Sequence, residues 1–191
     1  MEAFQQDKYF AKMKFWRLWG NVIRVFDASN TKLLLYVKQK AFKLKEEITI
    51  FADETQNTPV LKIKARSIID FGATYDVADA VTGEKIGALR RKGLKSILKD
   101  SWLILDASDN EIGKVEEGSV IMAMLSRTIN FIPQHYQITM GDKLVGKIDQ
   151  TWNIFMPQMR IDFSMDTAKV LDRRLGIATV VLLQVIEGKQ Q

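Results

Sequence analysis

The chain contains no cysteine and only one histidine, His135, among its 191 residues. Without cysteine there is no disulfide framework, no zinc–thiolate site and no thiol nucleophile. Proline occurs three times, at Pro59, Pro133 and Pro157, and no Ser/Gly-rich or low-complexity stretch appears. Nothing therefore divides the chain, and one domain over residues 1–191 is expected. The start, MEAFQQDKYF, carries Glu2 and Asp7 and lacks an apolar centre, so no secretory signal is expected. These absences together suggest a cytoplasmic protein, peripheral at a membrane if it meets one. A long hydrophobic run is missing as well. The most apolar stretch, LGIATVVLLQVIEG at 175–188, is strongly apolar only from Leu175 to Ile186. A spanning helix needs ~20 such residues, so no transmembrane segment is expected.

What remains is the composition of a globular protein with a core, 47% hydrophobic and 27% charged. The net charge of +5 is unevenly placed. Residues 1–45 hold ten Lys/Arg against Glu2, Asp7 and Asp27. Residues 85–99 hold Lys85, Arg90, Arg91, Lys92, Lys95 and Lys99 with no acid after Lys85. A basic field attracts phosphates, on lipid headgroups or elsewhere.

Turn signals recur along the chain: FDASN at Asp27, FADETQN at Asp53, ADAVTG at Asp79 and LDASDN at Asp106, at intervals of 26, 26 and 27 residues. Asp142 in MGD and Asp166 in SMD follow after an insertion. Asp, Asn, Ser and Gly belong in turns because short polar side chains bond the local backbone and Gly accepts positive φ. Met140-Gly141-Asp142-Lys143 suits a two-residue hairpin turn with Gly first. The flanking segments alternate with period two, the signature of strands. The alternation is clearest at 61–66, 135–140 and 158–163. It extends to 22–26, 32–38, 48–52, 72–78, 84–90, 102–106, 111–116 and 143–149. A further aromatic-rich strand within 8–18 brings the total to eleven or twelve, with short helical pieces at 93–99 and 119–131. Three strands share a phrase, IGAL at 86–89, IGKV at 112–115 and VGKI at 145–148. A recurrent strand glycine marks a bulge or the close approach of something bulky.

A helix from about 168 to 187, capped by Asp166 or Thr167 and stopped at Gly188, is apolar all round in its second half. That pattern requires burial on every side. Eight strands close on their own side chains and sixteen leave a channel. Eleven or twelve strands can enclose one helix, ~10–12 Å across. The expected fold is therefore mainly β, an eleven- or twelve-stranded antiparallel barrel enclosing a C-terminal hydrophobic helix, with Arg173 and Arg174 at its mouth.

The run YVKQKAFKLKEEITIFADETQNTPVLKIKARSI, followed by GEKIGALRRKGLKSILKDSWLILDASDNEIGKV, resembles the LURP-one-related proteins. The resemblance covers roughly residues 15–187. It implies kinship with the phospholipid scramblases and the tubby C-terminal domain, and a twelve-stranded barrel around a buried C-terminal helix. Tubby domains bind phosphoinositides through basic side chains, so the resemblance also implies an anionic lipid ligand. Scramblases carry a carboxylate-rich loop before the last helix and a cysteine cluster that is acylated. Here DQTWNIFMPQMRIDF offers Asp149 and Asp162 with no dense acidic loop between, and there is no cysteine to acylate. Calcium-driven scrambling is not expected of this chain.

No carboxylate pair or Ser/His/Asp set assembles from sequence neighbours. His135 lies on the polar side of an alternating strand and reads as a surface residue. DASDNE at 106–111 lacks the Gly and distant Glu of a calcium loop and reads as a local turn. The mixed aromatic and basic stretch KYFAKMKFWRLWG at 8–20 reads as a barrel strand or edge cover. Neither an enzyme nor a cofactor nor a metal is indicated. The expectation is a non-enzymatic binding module. Arg90, Arg91, Lys92, Lys95 and Lys99 would hold an anionic lipid headgroup or another phosphate at one barrel end. The alternative is a structural or protein-interaction barrel with no lipid ligand. An open-barrel carrier ranks lower because the helix fills the lumen, and nucleic acid is the least supported partner.

Overall fold

The computed structural model describes residues 1–16, 20–39, 47–66, 72–92, 101–118, 133–151 and 158–186. A 3-10 turn at Glu2–Phe4 precedes twelve strands: β1 (Lys8–Trp16), β2 (Gly20–Asp27), β3 (Leu33–Gln39), β4 (Glu47–Phe51), β5 (Pro59–Ala65) and β6 (Thr74–Asp79), then β7 (Lys85–Arg91), β8 (Ser101–Leu105), β9 (Glu111–Glu117), β10 (His135–Met140), β11 (Lys143–Thr151) and β12 (Gln158–Asp162). One helix, α1 (Arg173–Ile186), follows. Every strand pairs antiparallel with its sequence neighbours, and β12 returns to β1, closing the barrel. The aromatic N-terminal segment is thus β1, which brings the count of strands to twelve. Its Tyr9, Ala11 and Met13 point inward and are buried. The predicted helical pieces at 93–99 and 119–131 lie outside the described residues.

In such an up-and-down barrel all connections from even to odd strands fall at one end. That geometry explains the 26-residue interval: it is the length of one hairpin. Asp27, Asp53, Asp79, Asp106 and Asp142 stand in the five tight turns of this turn end, and Asp166 in the segment leading to α1. Asp27 Oδ1 accepts N–H bonds from Thr31 (2.8 Å) and Lys32 (3.1 Å), and Asp79 Oδ1 from Val81 (2.9 Å) and Thr82 (3.0 Å). At the hairpin predicted from Met140 to Lys143, Gly141 has φ +54°.

Each of these five hairpins carries a bulge just after the turn, on its returning strand. The registers slip between Val25/Phe26, Ile50/Phe51, Val77/Ala78, Ile104/Leu105 and Ile138/Thr139. The extra residues are Leu34, Val60, Ile86, Ile112 and Val145. A bulge breaks the alternation, bends the strand and increases its twist, which helps to close a barrel. The repeated Ile-Gly and Val-Gly phrases are this device. At Gly87 a Cβ would lie 3.1 Å from Leu175 of α1 and would collide with the Leu105 carbonyl; at Gly113 it would lie 2.5 Å from the Thr139 carbonyl.

Helix α1 fills the lumen. From Leu175 to Val185 every residue is buried. Fourteen residues at about 1.5 Å each make a rod of ~21 Å. It begins later than residue 168, because Asp166 and Asp172 divide the capping work. Asp172 Oδ1 accepts the Arg174 N–H at 2.8 Å, as an N-cap does. Asp166 instead holds the N–H groups of Val170 (2.9 Å) and Leu171 (3.1 Å), folding 166–171 into a turn in which Lys169 takes φ +51°. Arg173 and Arg174 are not free cations at an open mouth. Arg173 is buried in an ion pair with Asp166, and Arg174 is closed on Asp172 at 2.6 Å. Phe163 locks helix to wall: its ring lies 2.8 Å from where a Cβ would stand on Gly146 of β11 and 2.8 Å from one on Gly176 of α1. No helix among the described residues is long and apolar enough to cross a membrane.

The candidate anion-binding end

The end opposite the turns, here the far end, is where odd strands finish, even strands begin and α1 ends. Three of the five predicted cations stand there among the described residues: Arg90 and Arg91 finish β7, and Lys92 follows. Lys95 and Lys99 lie outside the described residues. Strand pleat divides the three. Arg90 pairs across to Thr74 and Leu103 on the outer wall. Arg91 stands opposite Trp102, whose side chain is buried, so it turns toward the interior, where it already has an interaction partner. Lys92 is exposed, and its N–H donates to the Ser101 carbonyl at 2.9 Å. Among the described residues neither Arg90 nor Lys92 has an ion-pair partner. The outward pair is therefore available to an anion, while Arg91 belongs to the polar inner rim with buried Asn21, Gln39 and Glu117.

The other sequence candidates resolve into local structure. Asp106 Oδ1 accepts N–H bonds from Ser108 (2.8 Å) and Asn110 (2.9 Å), and Oδ2 accepts from the Asn110 side chain at 2.9 Å. DASDNE is a turn closed by its own first residue. His135 is exposed on the outer wall, with Nδ1 2.7 Å from Asp149 Oδ1 on β11. Among the described residues no group of three or more His, Asp or Glu could hold a metal ion.

Two surface arrangements escape sequence reading because they join residues distant in the chain. Arg66 bridges Asp76 and Asp109, and Lys85 reaches Asp109 at 2.8 Å and Asp76 at 3.5 Å. Hydrogen bonds from Arg66 and then Lys85 draw the Asp109 carboxyl down to about 2. On β1–β3, Lys12 lies over the rings of Phe10 (5.6 Å) and Phe26 (5.1 Å), and Arg24 lies over Tyr36 at 5.5 Å while its Nε donates to Glu54 at 2.6 Å. Only the outer-wall register brings these groups together. Alternation within each strand put the charges outside but could not say which would meet.

A closed antiparallel barrel plugged by its own C-terminal helix defines the class of this protein. Residues 33–184 match the LURP-one-related family, and the chain belongs to it. The fold is similar to that of an Arabidopsis thaliana protein of known X-ray structure, at 14% identity and a TM-score of 0.56, over 96% of this chain and 94% of the other. No curated protein matches the sequence significantly.

Proposed function

We propose that the protein is a non-enzymatic binding module that takes anionic phospholipid headgroups or phosphates through the outward Arg90 and Lys92, joined by Lys95 and Lys99 of the same basic run, with the inward Arg91 left out of the contact. The observation that carries this reading is the state of Arg90 and Lys92. Both are accessible basic side chains with no acidic partner among the described residues, at a barrel end, in a protein whose other described guanidiniums are mostly paired. Charge-assisted hydrogen bonds from such groups to phosphate oxygens are short and about twice as strong as neutral ones. Near an anionic membrane surface each cation contributes about 1 kcal/mol. A peripheral cytoplasmic protein, bound reversibly and salt-sensitively, is the corresponding behaviour. Flotation with neutral and with anionic vesicles tests the reading. Recovery with anionic vesicles alone supports it, and absence from both overturns it.

A further inference from the structure

The charges of this protein are sorted along the barrel axis. The turn end comprises residues 1–8, 27–32, 52–58, 79–85, 106–111, 141–143 and 162–174. These segments hold fourteen Asp/Glu and seven Lys/Arg, a net charge of −7. The other described residues, in the wall and at the far end, hold five Asp/Glu and thirteen Lys/Arg, a net charge of +8. The cause lies in the repeat. A turn-forming Asp every 26 residues places its carboxylate at the same end each time, so turn chemistry alone makes that end acidic.

The opposite charge is also patterned. Lys38 is the penultimate residue of β3, Lys64 of β5 and Arg90 of β7, with Lys62 one pleat below Lys64 and Lys92 just past β7. All five stand on the outer side of the wall near the far end, and among the described residues none makes an ion pair or hydrogen bond from its side chain. Successive odd strands are two strand spacings apart, about 10 Å. That is too wide for one phosphate to bridge from strand to strand, but it suits an extended array of anionic groups. The even strands between them present Glu47, Thr49, Thr74 and Asp76 outward; Asp76 is taken up by Arg66 and Lys85, and the outward ring of β4, Phe51, stands next to the turn end and away from these cations. A lipid surface therefore fits better than a nucleic acid.

We propose that the protein docks end-on to an anionic phospholipid bilayer. Lys38, Lys62 and Lys64 extend the contact made by Arg90 and Lys92, and the acidic turn end is held away from the surface. This rests on the lipid-binding reading above and adds to it a wider face and an orientation. The field of a barrel charged oppositely at its two ends turns the molecule before contact. Its reach is a screening length, about 8 Å at physiological salt.

The full chain would be tested with vesicles of phosphatidylcholine alone and of phosphatidylcholine with phosphatidylserine. Two variants are compared with the parent, K38Q/K62Q/K64Q and R90Q/K92Q, each first shown by its unfolding curve to be folded. Each cation at the surface is worth about fivefold in partitioning, so the triple variant should bind about a hundredfold more weakly. The absence of cysteine allows a single environment-sensitive dye to be placed by Glu47→Cys at the far end or Val81→Cys at the turn end, where Val81 is 82% exposed. The dye at 47 should respond to anionic vesicles and the dye at 81 should not. If the triple variant binds like the parent while R90Q/K92Q is weakened, the wide face is wrong and the local site survives. A response at 81 without one at 47 overturns the orientation. If the parent binds neither vesicle, or binds heparin and no vesicle, the lipid reading falls and this inference with it.

Discussion

The Arg173 guanidinium donates from Nη1 to Asp166 Oδ2 at 2.7 Å, and this pair fastens the start of the buried helix to the turn that precedes it. Nη2 reaches Asp7 at 3.1 Å, so the same side chain also ties down the N-terminal segment. Both partners are buried, Asp166 at 4% exposure and Arg173 at 8%. The Phe163 ring packs against the guanidinium at 5.1 Å. Removing one member leaves the other uncompensated in a poorly hydrated place. Arg173→Met is expected to cost about 3–5 kcal/mol, read as a fall in the denaturant midpoint at unchanged m-value. A loss under 1 kcal/mol would show that Asp166 is satisfied by the Val170 and Leu171 N–H groups alone.

Gly146 and Gly176 clasp one ring between barrel wall and helix. Neither can accept a methyl group unless Phe163 moves, because each Cβ would meet it at 2.8 Å. Gly176→Ala should therefore destabilise by about 1–3 kcal/mol through overpacking, despite the better helix propensity of Ala. Phe163→Leu should restore part of that loss in the double variant. A double-mutant cycle with no coupling would contradict the clasp.

Gln184 is 1% exposed within α1, and both its amide oxygen and its amide nitrogen lack hydrogen-bond partners among the described residues. An unsatisfied buried amide costs ~1–3 kcal/mol. Gln184→Leu should accordingly raise stability by about 1–2 kcal/mol, visible as a higher thermal midpoint. A lower midpoint would mean that the amide is engaged in solution.

Several turn carboxylates have folded-state pKa values below their ordinary range. Asp27 is drawn down to about 2 by hydrogen bonds from the Ser29 hydroxyl and the Thr31 N–H. Asp109 is drawn to about 2 by Arg66 and Lys85. Burial pushes Asp166 up, but Arg173 and two backbone N–H groups outweigh it, and the net shift is downward. A carboxyl with a depressed folded pKa binds its proton less readily than in the unfolded chain, so it stabilises above the unfolded value, ~3.9 for Asp. That contribution is lost as pH falls through the folded value. The midpoint in urea should be flat near neutrality and drop from about pH 4 toward pH 2. In Asp27→Asn and Asp109→Asn proteins the drop should be shallower. An equal acid slope in parent and variants would remove these turns as its source.

Much of the fold was legible in the chain because it depends on local chemistry repeated at regular intervals. Asp turns at 26-residue spacing, alternating strands and one helix apolar on all sides leave few ways to hide that helix, and a closed barrel is the simplest. The recurrent glycines were legible as bulges or close approaches, and they are both.

Tertiary structure decided what pleat and register control. Arg90 and Arg91 are neighbours in the chain, yet the alternation of β7 sends one outward and the other toward Trp102. Lys38, Lys64 and Arg90 are far apart in sequence, yet the barrel sets them on successive odd strands at one end. Arg173 reads as a cation at a mouth until the 166–171 turn brings Asp166 and Asp7 to it. Sequence by itself determined that the protein is a plugged barrel with Asp turns at regular intervals, since hairpin length and residue type are local properties. Which cations stand free and which are consumed in pairs was decided only by closure of the barrel, because closure brings together side chains that the chain keeps far apart.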